Sequence, residues 1–85
     1  PSEEELFNLV DLERFVLMSI LIHDGLSVGL LCQCLNEKRD LVETACRHLV
    51  GLGICYWDSE ELQVDLSWRP QVLRTLKKQR LLYAG

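Results

Sequence analysis

This chain is poor in aromatic residues, with two each of Phe, Tyr and Trp among 85. Leu, Val and Ile must therefore build most of its core. It also lacks a long apolar stretch. The run from Phe15 to Ile22 is too short to span a bilayer and has none of the flanks of a signal peptide, so no membrane role is expected. Internal repeats, linkers and low-complexity segments are missing too. A phosphate-cradling loop is absent, because Gly51-x-Gly53 is followed by neither a helix pattern nor a lysine. The four cysteines do not form the close-spaced pairs of a structural zinc site. Cys32 and Cys34 on a helix would point roughly 200° apart and could not grip one ion. With Cys46 and Cys55 they read as reduced thiols in an intracellular compartment, since a Leu-rich chain of this kind needs no covalent staple.

What is present describes a small folded domain. Apolar residues make up 48% and charged residues 26%, a balance that supports a core and excludes a disordered chain. A single domain over residues 1–85 is expected, and its start at Pro1 suggests a piece of a larger protein. At this size net stability should be a few kcal/mol. Charge is uneven along the chain. All thirteen acids fall before residue 67, beside only Arg14, Lys38, Arg39 and Arg47. Arg69, Arg74, Lys77, Lys78 and Arg80 follow without an acid among them. An acidic body thus carries a basic tail, which is either a docking surface or a solvated helix face suited to the dipole at a helix C-terminus.

Periodicity orders the elements. Ser2 and Glu5 have the spacing of a capping box, and Asp11 can start a fresh helix with Leu12, Phe15, Val16, Ser19, Ile20 and His23 at three-and-four spacing until Asp24-Gly25. Residues 3–24 are compatible with one helix or two. The apolar run within them marks a central helix, covered on most sides. Leu26-Ser27 reads as a short strand and N-cap, and Val28, Leu31, Cys32 and Leu35 as the inward face of the next helix. Asn36 suits a turn. From Arg39 a further helix points Leu41 or Val42, Ala45, Cys46, Leu49 and Leu52 inward and ends at Gly53. Ile54, Tyr56, Leu62, Val64 and Leu66 then alternate with Cys55, Trp57, Gln63 and Asp65 about the polar turn 58–61, which predicts an antiparallel hairpin with the first set buried. Ser67 can cap a final helix that tolerates Pro70 in its first turn and points Val72, Leu73, Leu76 and Tyr83 inward. The expected core is Phe15, Ile20, Leu31, Leu35, Val42, Leu49, Ile54, Val64, Leu66, Val72 and Leu76.

Taken in order, these elements resemble the winged helix-turn-helix superfamily over residues 11–83, including the Leu-Gly-Ile ending of Leu52 to Ile54. The expected fold is mainly α with a small β-hairpin: a three-helix core, a wing and a C-terminal helix. The resemblance implies nucleic-acid binding or protein assembly, and seldom catalysis.

In DNA-reading winged helices the exposed face of the third helix enters the major groove. Carried over, that face presents Asp40, Glu43, Thr44 and Arg47, with Lys38 and Arg39 at its start. Its carboxylates oppose the phosphate neutralisation on which non-specific affinity depends. The expectation is therefore a non-catalytic module that binds another protein subunit inside a larger intracellular assembly, nuclear or cytoplasmic, including DNA-associated ones. Trp57 and Trp68 are its candidate anchors. Nucleic-acid binding is the alternative, through Lys38, Arg39, Arg47, Arg74, Lys77, Lys78 and Arg80. His23 and His48 match no catalytic motif, so neither an enzyme, a metal nor another cofactor is expected.

Overall fold

The computed structural model describes residues 3–79. Five helices and three strands follow one another as α1 (Glu3–Phe7), α2 (Asp11–His23), β1 (Leu26–Ser27), α3 (Val28–Leu35), α4 (Arg39–Gly51), β2 (Cys55–Asp58), β3 (Glu61–Val64) and α5 (Arg69–Lys78). The chain is mainly helical with a small antiparallel sheet in the order β1-β3-β2, compatible with the winged-helix expectation. Residues 3–24 contain two helices. Ser2, Arg80 and Tyr83 lie outside the described residues.

Helices α2, α3 and α4 each stop for a local reason. Asp24 and Asn36 take left-handed backbone at the ends of α2 and α3, where their N–H groups reach back to the carbonyls of Ile20 and Cys32. Short polar side chains tolerate that conformation better than most. At the end of α4, Gly53 takes φ +80, Ile54 N–H donates to Leu49 O at 3.2 Å and Gly53 N–H to Val50 O at 3.0 Å. This pair of bonds closes the helix and sets Ile54 over Leu49. Both side chains are fully buried, each worth roughly 1.5–3 kcal/mol relative to exposure. Ser27 ends β1 and also caps α3, its Oγ accepting from Leu30 N–H at 3.3 Å; one residue thus turns strand into helix.

The core lies where α2 meets α3, α4, α5 and the sheet. Its buried members include Leu6, Leu9, Val16, Leu17, Ile20, Leu31, Val42, Cys46, Leu49, Ile54, Leu62, Val64, Val72 and Leu76. Three expected core residues differ. The inward stripe of α2 is Glu13, Val16, Leu17 and Ile20, which leaves Phe15 on its flank at 39% exposure. Leu35 is half-buried at the edge of the core. Leu66 is 76% exposed, because β3 has already ended at Val64 and the chain turns there. Asp65 makes that turn, accepting from Ser67 Oγ at 2.6 Å and Ser67 N–H at 2.9 Å. These bonds hold its carboxyl below the usual carboxylate range. Ser67 is consequently part of a turn and not the cap of α5, which starts two residues later at Arg69 with Pro70 in its first turn, as its missing N–H allows.

Candidate functional site

The hairpin determines what the surface offers. Strand β3 is central, paired with β1 through Leu26↔Leu62 and with β2 through Cys55↔Val64, Tyr56↔Gln63, Trp57↔Leu62 and Asp58↔Glu61. Residues directly opposite share a face. Leu26, Cys55, Trp57, Leu62 and Val64 therefore lie on the face turned to the core, and Tyr56, Asp58, Glu61 and Gln63 on the other. The expected alternation about the hairpin has the opposite phase in β2: Cys55 is buried and Tyr56 exposed. The cause is the end of α4. Ile54 is turned inward by the helix-closing bonds and not by strand geometry, and its carbonyl accepts from Asp65 N–H at 2.8 Å. Cys55 then begins the strand on the inward side as well, so two consecutive residues are buried.

Strand β2 is the outer strand of the sheet, and past Cys55 its side chains stand in solvent. Tyr56 is 43% and Trp57 42% exposed. Trp57 shares the inward face, directly opposite the buried Leu62, but sits towards the tip and remains part-exposed. At the tip Asp58 faces Glu61, two carboxylates directly opposite one another. Trp68 is different: it immediately precedes α5, is half-buried and packs against the core. The two tryptophans sit on different elements, Trp57 on β2 and Trp68 at the start of α5.

On the far side of the sheet, Gln63 Nε2 donates to Asp24 O at 3.0 Å. This approach requires the glycine at position 25. Gly25 has φ +101, and a Cβ there would lie 2.2 Å from Gln63 Nε2.

The described cations proposed for nucleic acid lie on two elements, Lys38, Arg39 and Arg47 at the start of and along α4, and Arg74, Lys77 and Lys78 on α5. Arg39 Nε donates to Glu43 Oε1 at 2.8 Å, and Arg47 donates to Thr44 Oγ1 at 3.2 Å. Lys38 is exposed at the start of α4. On the outward face of α4, Arg39 and Glu43 thus offset each other's charge. On α5, Lys77 is exposed, Lys78 Nζ lies 5.9 Å from the centre of the Phe7 ring, and Arg74 is exposed.

One polar arrangement was not expected. Glu13 is buried on α2, where Oε1 accepts from Val10 N–H at 3.0 Å and Oε2 pairs with His48 Nδ1. It thereby caps the first turn of α2 and ties it to the last turn of α4. A carboxylate at a helix start and an imidazole at a helix end both suit the helix dipoles. The Glu at the third helical position is a sequence signal for such a cap, but Val10 has no side-chain oxygen to complete the pattern. The four cysteines are free thiols, as the sequence leads one to expect, and Cys46 is buried on the inward face of α4. Burial is the main cause that pushes Cys46 up to about 11 and Cys55 to about 12, whereas Cys34 is exposed and Cys32 half-buried. Thiols so disfavoured as thiolates are poor nucleophiles near neutral pH. Among the described residues no three potential metal ligands gather, and no helix is long and apolar enough to cross a membrane.

No protein family matches the chain, and neither the curated proteins nor the solved structures yield a match.

Proposed function

We propose that the chain is a winged-helix module without catalytic activity that binds another protein subunit within a larger intracellular assembly, nuclear or cytoplasmic. The observation that carries this reading is the pair of exposed aromatics, Tyr56 and Trp57, on an outer strand that has no neighbour beyond it among the described residues. Aromatic side chains supply large contact areas at modest entropic cost and are enriched among interface anchors. The fold part of the reading is supported by the element order and by the strand order β1-β3-β2. Trp57 is the principal anchor. Trp68 contributes through its uncovered edge.

The test is a pull-down from cell extract with the parent chain beside a Trp57→Ala/Trp68→Ala variant whose folding has been verified by its thermal melt. Loss of specific partners from the variant is the expected result. Identical partner lists would remove both tryptophans as anchors.

The exposed bases of α5 favour a second reading, nucleic-acid binding through Arg74, Lys77, Lys78 and Arg80 together with Lys38, Arg39 and Arg47. With four or five phosphate contacts, affinity for duplex DNA should fall by about two to three orders of magnitude between 50 and 200 mM salt. Arg74→Glu/Lys77→Glu should abolish it. Tight binding with that salt dependence would place nucleic acid first; no binding at low salt would leave the protein module.

A further inference from the structure

We infer that the free edge of β2 accepts an extended basic peptide segment as a fourth strand, with lysine or arginine alternating with apolar residues. This rests on the protein-module reading above and names the class of partner.

The edge itself is the first argument. In a four-residue outer strand, alternate residues direct their N–H and C=O groups away from the sheet, and such an unpaired row is a template for another strand. Among the described residues, those of Cys55–Asp58 make no hydrogen bond outside the β2·β3 ladder. The opposite edge is a poorer template, since β1 has two residues and Ser27 leads at once into α3.

Charge selects the occupant. The hairpin segment 55–65 carries Asp58, Glu60, Glu61 and Asp65 and no lysine or arginine. Asp58 and Glu61 are cross-strand neighbours on one face, an arrangement that destabilises the isolated hairpin. A cation from a partner would relieve it. Tyr56 lies on that same face, and its ring can stack under an arginine or lysine. Trp57 lies on the other face, where alternate side chains of an added strand would be apolar. The chain's own bases on residues 69–78 are held in α5, a helix that cannot pair as a strand. A second copy's β2 would bring acidic tips of like sign onto one sheet.

The probe is a capped eight-residue peptide of alternating Lys and Val, titrated into the 15N-labelled chain at low salt. Saturable amide shifts concentrated on residues 55–58, with a shift of the Trp57 indole, are expected. A peptide with Glu in place of Lys, and one with alternate backbone nitrogens methylated, should each bind about tenfold more weakly or worse. The variant Asp58→Lys/Glu61→Lys should lose a similar factor. It exchanges one like-charged pair for another, so a melt close to the parent's shows that lost binding is not lost folding.

The proposal is overturned by shifts centred on α4 or α5, by equal binding of the methylated peptide or the reversed-charge variant, or by no saturable shift. Shifts of the β2 amides that grow with protein concentration alone would assign the edge to self-association and also overturn it. Should the peptide fail while Trp57→Ala/Trp68→Ala still strips partners from extract, strand addition falls and the module reading survives. If the peptide binds at β2 but partner lists are unchanged, the tryptophan anchors fall instead.

Discussion

Helix α4 and strand β2 are joined by three residues, yet they use their side chains in opposite ways. On α4 the inward residues Val42, Ala45, Cys46 and Leu49 are buried, and outward charges bond to one another, as Arg39 does to Glu43. On β2 only Cys55 is buried, while Tyr56, Trp57 and Asp58 remain exposed. Stability is concentrated in the helix. The strand is held in place by β3 and, among the described residues, its far edge is unpaired and its aromatic side chains are exposed. Binding surfaces need such uncommitted groups, whereas a core residue left uncommitted costs stability.

The sharpest way to break this contrast is to strike α4 from within. Leu49 is fully buried, and its carbonyl accepts the helix-closing bond from Ile54 N–H. Leu49→Asp would bury an unpaired carboxylate at a cost of several kcal/mol, comparable to the whole stability of a domain this small. The expected result is loss of a cooperative thermal transition by circular dichroism. A melt near that of the parent chain would remove α4 from the centre of the core.

That centre was legible in the sequence because three-and-four spacing survives packing. Val42, Cys46 and Leu49 follow it, and so does Gly53 as the end of α4. The phase of β2 was not legible. Period two assumes that a strand begins where the apolar residues begin, but Ile54 belongs to the helix closure and the strand starts afterwards at Cys55. Phe15 was misplaced by a related ambiguity, since a run apolar nearly all round does not say which stripe faces inward. The candidate surface was legible only as a residue, Trp57; its edge position and its acidic neighbours arise from pairing that no local pattern encodes. Glu13 and His48 are separated by a long stretch of chain, and a long-range polar pair leaves no periodic trace.

Alkaline pH tests both sides of the contrast, because Cys46 sits on α4 and Cys55 opens β2. Folding raises them from 9.0 to about 11 and about 12. Below pH 9 both thiols are neutral folded or unfolded and their stabilising difference is fully present. As pH rises through 9 the unfolded chain loses those protons first, so stability falls until the folded thiols ionise too. Denaturant midpoints should therefore decline from pH 9 to 11, and more steeply for the parent than for Cys46→Ala/Cys55→Ala. Equal slopes would show that these thiols are not protected by the fold. With a thiol reagent at pH 7.5, Cys34 should react first and Cys46 and Cys55 only on unfolding.

A smaller loss is expected at the polar tie between α2 and α4. Glu13→Ala removes the acceptor for Val10 N–H and should cost about 1–2 kcal/mol in denaturant unfolding. Glu13→Gln keeps an amide oxygen in reach of that N–H and should cost less. His48→Ala should cost least, because the imidazole is half in solvent, with 54% of its side chain exposed, and the capping bond remains. Reversal of this order would make the link to α4, and not the cap of α2, the dominant contribution.

The smallest effect should have the opposite sign. Asp58 and Glu61 face each other across the hairpin, so Asp58→Lys converts a repelling pair into an attracting one without touching the core. Cross-strand charge pairs are worth about 0.2–1 kcal/mol, which for a domain of this length raises the melting temperature by about 1–8 °C. The gain should shrink in high salt, where exposed charges are screened. A helix face that already holds the Arg39–Glu43 ion pair offers no comparable improvement, so Thr44→Lys on α4 should change the melt by less. If Asp58→Lys leaves the melt unchanged at low salt, the facing carboxylates carry no strain, and the strand and helix differ in exposure alone. If it stabilises the fold while weakening the basic peptide, the acidic tip is a feature that the hairpin retains at the expense of its own stability.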